Sequence, residues 1–83
     1  MARIRTAQRR LTTVVTITGR LGAGDMRRLE HACAPALTTA EAQLTVDLTR
    51  VTEVDRAAET LLRRMATRGA LIMTGQPSPP AGN

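Results

Sequence analysis

Eighty-three residues allow one small domain and no second core. The chain has no Phe, Tyr, Trp or Lys, which excludes base stacking on aromatic rings, the phosphate-binding loop with its Lys, and Schiff-base chemistry. Its net charge is +5, from twelve cations that are all Arg against seven acids, and its 42% hydrophobic content is that of a folding chain.

Ile4 to Arg10 reads as a weak strand or arm, with Ile4 its only large apolar residue. Leu11 to Leu21 reads as a strong strand: Leu11, Thr13, Val15, Ile17, Gly19 and Leu21 share one parity, and the content is β-branched. Gly22 and Gly24 break the pattern. Asp25 stands where a helix begins, its carboxylate suited to the N-terminal dipole. Met26, Leu29, Cys33 and Leu37 then form one helical stripe, and Pro35 is expected to kink or end that helix. Leu44, Val46 and Leu48 alternate with Thr45, Asp47 and Thr49 as another strand, which gives way to a loop holding Val51, Thr52, Glu53 and Val54. Asp55 is a natural N-cap for a second helix with Ala58, Leu61, Leu62 and Met65 inward and Arg56, Glu59 and Arg63 outward. Gly69 terminates it, and Ala70 to Thr74 reads as a short last strand. Residues 76–83 read as a flexible, Pro-rich tail after a single domain over residues 1–75.

The order strand, strand, helix, strand, helix, strand places the later strands parallel, joined by right-handed crossovers. The fold class is therefore α/β: a small four-stranded mixed sheet with helices on one face. The opposite face, rich in Thr and charge, tolerates solvent or a partner. A core this small leaves room for a homodimer to add stability.

Enzyme chemistry finds little to work with. The only Ser is Ser78 and the only His is His31, so a nucleophile triad would need the tail to fold back. Cys33 has no disulfide partner, and with one His it is too few for structural zinc. Asp47 and Asp55 are placed to pair as carboxylates at the sheet's C-terminal edge, but without further ligands they are weak evidence for a metal. Neither a cofactor nor a catalytic residue is expected. No apolar run reaches the ~20 residues of a membrane span, and the basic N-terminus lacks the apolar core of a secretory signal. A reducing, cytoplasmic setting is the expectation. Arg3, Arg5, Arg9 and Arg10 crowd the N-terminus, but on sequence alone a charged, aggregation-resistant edge strand outweighs nucleic-acid binding.

The most specific stretch is Leu44-Thr-Val-Asp-Leu-Thr-Arg-Val-Thr-Glu-Val-Asp-Arg-Ala-Ala-Glu-Thr-Leu-Leu: a strand ending in Asp-Leu-Thr, a connection, and a Val-Asp pair opening a helix. It resembles the STAS domain of sulphate transporters and bacterial anti-sigma factor antagonists. Ile17-Thr-Gly-Arg-Leu-Gly and Arg68-Gly-Ala-Leu-Ile-Met-Thr-Gly match further family segments in the same order. The resemblance implies a non-catalytic module for transcription regulation that binds an anti-sigma factor of the Ser/Thr-kinase type. In such antagonists the kinase phosphorylates the Ser after the Asp that opens this helix, and the complex dissociates. Here Arg56 occupies that position, which removes the acceptor. Thr52 and Thr60 are the nearest other hydroxyls. The resemblance thus implies a partner surface made of Asp55, Arg56, Glu59, Thr60 and Arg63 without the standard phospho-switch. Alternatives are a small STAS subunit of an ABC-type transporter and an Arg-rich nucleic-acid-binding protein.

Overall fold

The computed structural model describes residues 2–74. The tail expected from residue 76 onward lies outside them. The elements are β1 (Arg3–Arg9), β2 (Thr12–Leu21), a one-turn 3-10 helix (Ala23–Asp25), α1 (Met26–Leu37), β3 (Gln43–Val54), α2 (Arg56–Thr67) and β4 (Leu71–Thr74). The sheet order is β1-β2-β3-β4. The β1–β2 hairpin is antiparallel and the β2–β3 and β3–β4 pairs are parallel, so the sheet is mixed as expected.

Alternation explains the sheet. Val15, Ile17, Leu44, Val46 and Leu48 are buried under the helices, while Thr12, Val14, Thr16 and Thr45 point to the face that no helix covers. Leu29, Cys33 and Ala36 of α1, with Ala58, Leu62 and Met65 of α2, close the core from above. Leu11 is half exposed, having left the strand for the hairpin turn.

The expected loop between Val51 and Val54 is instead strand. β3 continues to Val54, opposite Leu21. It carries one extra residue relative to β2 between Asp47 and Arg50, and another between Val51 and Glu53. Each bulge resets the alternation, and this hides the strand from a period-2 reading. Thr52 consequently sits in β3, not in a loop. At the first bulge Asp47 Oδ1 accepts hydrogen bonds from the Thr49 backbone N–H (2.9 Å) and hydroxyl (2.6 Å). These bonds hold the Asp47 carboxyl below its ordinary pKa. Gly19, on the β2 side, has φ 97°, a conformation that side chains disfavour.

Pro35 lies inside α1, and the helix ends two residues later at Leu37, near where the Pro is expected to stop it. The Pro lies in the last turn, and its carbonyl accepts from the Thr38 and Thr39 hydroxyls (both 3.1 Å), so the disturbed end is capped by side chains. Asp25 makes no side-chain cap to α1. It is 3% exposed, and its carboxylate is taken by the Gly22 and Ala2 backbone and by the Arg28 side chain.

Gly69 follows α2 at φ 104°, a left-handed residue at the helix terminus, and nothing lies within 4 Å of where a Cβ would stand. Gly69→Ala therefore meets backbone strain without a steric clash. We expect a loss of about 1 kcal/mol, read as a melting temperature lower by about 4–8 °C in a thermal unfolding scan.

Candidate functional site

Parallel pairing of β2 and β3 brings their C-terminal ends to one edge of the sheet, where both chains turn toward helices. Asp55 joins them. Its backbone N–H donates to the Leu21 carbonyl (3.0 Å). Its Oδ1 accepts from the Ala58 N–H (2.9 Å), the N-cap bond of α2. Its Oδ2 accepts from the Ala23 N–H (2.9 Å), in the loop after β2. Gly22 makes that approach possible: a Cβ there would stand 3.1 Å from Asp55 Oδ2.

A second carboxylate braces the same loop. Asp25 Oδ2 accepts from the Gly22 N–H (3.1 Å), and Oδ1 from the Ala2 N–H (3.4 Å) and the Arg28 guanidinium. Arg28 also donates to the Ala2 carbonyl (2.9 Å). The backbone donor at Gly22, the Arg28 guanidinium and the Ala2 N–H outweigh burial and hold the Asp25 carboxyl below the usual carboxylate range.

On this platform the start of α2 stands clear of the core. Arg56, Glu59, Thr60 and Arg63 are exposed. Glu59 and Arg63 pair with each other at 3.4 Å, one helical turn apart. The Thr60 hydroxyl donates to the Arg56 carbonyl (3.0 Å). Among the described residues Arg56 has no acidic partner within salt-bridge distance. An open depression lies beside the turn, with Arg20, Gly22, Glu53 and Asp55 among its walls. Arg20 and Glu53 form an exposed ion pair across it at 3.1 Å.

The structure thus brings Asp55, Arg56, Glu59, Thr60 and Arg63 together over the first two turns of α2, all of them exposed. It adds Gly22, Ala23, Asp25 and the Arg20–Glu53 pair, which the sequence reading did not single out. The Gly-rich break after β2 was the available signal for Gly22. Asp25 was legible as a cap but not as a buried tie.

The Asp47–Asp55 carboxylate pair does not form. Asp47 lies eight positions earlier in the same extended strand, at about 3.3 Å per residue, and is spent on its own bulge. Among the described residues no group of three His, Cys, Asp or Glu side chains is placed to hold a metal ion. His31 is exposed on α1. Cys33 is fully buried, and burial pushes its thiol up to about 11. Among the described residues no helix is long and apolar enough to cross a membrane.

With this geometry in place the kinship is plain. The family model described as "Mlab, STAS domain" matches residues 4–74. The chain belongs to the STAS domain family. Its fold is that of the anti-sigma factor antagonist SpoIIAA in its unphosphorylated form, with a TM-score of 0.67 at 19% identity over 93% of this chain and 76% of the other. It is also similar to part of Mglu (TM-score 0.65, 18% identity, 89% of this chain and 19% of the other). A DUF3478 protein of Shewanella loihica with a SpoIIAA-like fold gives a TM-score of 0.51 at 16% identity, over 92% of this chain and 69% of the other. No curated protein matches the sequence.

Two measurements check the site's chemistry. Asp25 has a lowered folded-state pKa, so its stabilisation is complete above the unfolded value of about 4 and fades as pH falls through the folded value. Asp25→Asn should cost about 1–3 kcal/mol at neutral pH, and its stability should converge on that of the native chain in urea titrations below about pH 4. Cys33 should resist iodoacetamide in the folded state at mildly alkaline pH, where about one thiol in a thousand is ionised, and react once urea unfolds the chain.

Proposed function

We propose that this chain is a non-catalytic protein-binding module that docks an anti-sigma factor of the kinase type through the opening turn of α2. Asp55 positions the turn, Arg56 supplies an unpartnered cation, and Glu59, Thr60 and Arg63 complete the surface. The observation that carries the reading is Arg56 itself. It is the first residue of α2, exposed, without an acidic partner among the described residues, at the helix end where the dipole disfavours a cation. Fold stability does not account for a guanidinium there, whereas a bidentate contact to a partner carboxylate does.

In this reading the interaction has no Ser phospho-switch. Relatives carry a hydroxyl at this position that becomes a dianion, and a dianion in an interface near acids repels and must be desolvated. Arg56 carries the opposite sign permanently. The Thr60 hydroxyl donates a hydrogen bond to the Arg56 carbonyl one turn into α2, and Thr52 lies in β3, so neither stands at the position of that Ser.

A second reading, a STAS subunit of an ABC-type transporter, draws on the family description, which names Mlab rather than an antagonist. Recovery of an ATPase subunit by the tagged chain from its own cells, with no kinase-type anti-sigma factor, would select it.

The primary reading is tested by surface plasmon resonance against the kinase-type anti-sigma factors of the source organism, with and without ATP. The native chain should bind one of them equally in both conditions. Arg56→Glu should weaken binding about tenfold or more, and Arg56→Ser should make it ATP-sensitive. ATP-driven release of the native chain, with phosphate found on Thr52 or Thr60, would refute the absence of a switch. Binding indifferent to Arg56→Glu would refute the surface.

A further inference from the structure

The net charge is not spread over the molecule. Five Arg and no acid precede Asp25; the seven Arg from Arg27 onward are matched by all seven acids of the chain. The whole surplus of +5 therefore lies in the β1–β2 hairpin and its immediate continuation. Arg20 pairs with Glu53, but among the described residues Arg3, Arg5, Arg9 and Arg10 have no acidic partner.

Register gives these cations a geometry that composition alone did not. Ile4 packs against the core, so Arg3, Arg5 and Arg9, at the other parity of β1, point to the face that no helix covers. Each stands opposite a Thr of β2 on that face: Arg3 faces Thr18, Arg5 faces Thr16 and Arg9 faces Thr12. The result is a line of three guanidiniums with three hydroxyls beside it, interrupted between Arg5 and Arg9 by the Ala7–Val14 pair. Arg10 ends the row at the hairpin turn with φ 51°, a conformation that Gly or Asn adopts more readily. A cation is held there against local backbone preference.

We infer that this helix-free face binds nucleic acid through its phosphodiester backbone, independently of base sequence. A guanidinium and a neighbouring hydroxyl are the two donor types that contact phosphate oxygens most often. Arg3 and Arg5 stand about 6.8 Å apart along the strand and Arg9 two further steps on, beyond Ala7, so cations lie along one line of the face as a chain of phosphates would need. The centre of the face is Thr with one half-buried Val14, and its exposed large apolar side chains, Leu71 and Met73, lie at the opposite edge on β4, which disfavours a membrane. The chain lacks aromatic residues, so no base is stacked on a ring. This surface is distinct from the α2 turn and does not rest on the docking proposal.

The test is fluorescence anisotropy of a short labelled duplex DNA with the full chain. Three phosphate contacts predict an affinity loss of about 40-fold between about 50 and 200 mM NaCl. The variant Arg3→Gln/Arg5→Gln/Arg9→Gln should reduce the magnitude of the log–log salt slope by about 2.7. Arg27→Gln/Arg64→Gln/Arg68→Gln removes the same charge from the helical side and should leave most of the slope in place. Equal losses in the two triple variants would mean diffuse attraction to a basic protein and would overturn the assignment. Tighter binding to phosphatidylserine vesicles or to poly-glutamate than to DNA would also overturn it. Amide chemical-shift mapping on the native chain is independent of variant folding: DNA should move Arg3, Arg5, Arg9, Thr12, Thr16 and Thr18, and perturbation confined to α1 and α2 would refute the site.

Discussion

The Asp55 carboxylate divides its two oxygens between the first turn of α2 and the segment after β2, and the exposed edge of the molecule depends on that division. One oxygen caps α2 at Ala58; the other holds the Ala23 N–H in the loop after β2. A helix cap alone contributes about 1 kcal/mol and fixes one helix end. Sharing the same carboxylate with the neighbouring loop fixes the position of that end relative to β2 as well. Parallel strands make this possible, because their C-terminal ends emerge side by side. Gly22 keeps the approach open where any Cβ would crowd Asp55 Oδ2. The turn that presents Arg56 is thus anchored from below, with its outward side chains free for another molecule.

Asp25 does for the N-terminus of the chain what Asp55 does for the helix. It lies at the other strand-to-helix junction, but it is buried and collects donors from Gly22, Ala2 and Arg28. These bonds fasten the first residues of the chain to α1, and so determine where β1 starts. Burying a carboxylate is costly unless its oxygens are satisfied, and here donors reach both of them. The two acids have similar sequence contexts, each following a strand and preceding a helix. Their difference lies in Ala2, distant in sequence and just ahead of β1, which bonds to Asp25 and Arg28 at one junction and has no counterpart at the other.

That contrast marks the boundary of what the sequence reveals. Val15, Ile17, Leu44, Val46 and Leu48 disclose their strands because each is flanked by polar residues at the right period, and the helical stripes at Leu29–Cys33 and Ala58–Leu62–Met65 do the same. Asp55 was legible as a cap because capping is local. The second half of β3 was hidden because two added residues reset the alternation, and the hydrogen bonds that satisfy the first bulge come from Asp47, a side chain that reads equally well as a ligand. Asp25 misled for the opposite reason: a local role was available and a long-range one took it. The candidate turn was legible through its resemblance to a family, while its supports at Gly22, Ala23 and Asp25 needed tertiary structure to be seen.

A four-stranded sheet with helices on one side has to keep its other side in order without packing. Thr is suited to that task. Its β-branch favours extended backbone as Val does, and its hydroxyl keeps the surface hydrated. Thr12, Thr16, Thr18 and Thr45 supply this along the two central strands, so the face needs no cover to hold its shape. Arg at alternate positions of β1 protects the sheet edge from pairing with other chains, which is sufficient reason for charge at that edge. It is not sufficient reason for charge of one sign only. Mixed acids and bases would protect the edge equally well and would leave the hairpin neutral like the rest of the chain. Edge protection explains why the residues of β1 are charged; the uniform sign calls for a second cause, and an anionic ligand supplies one.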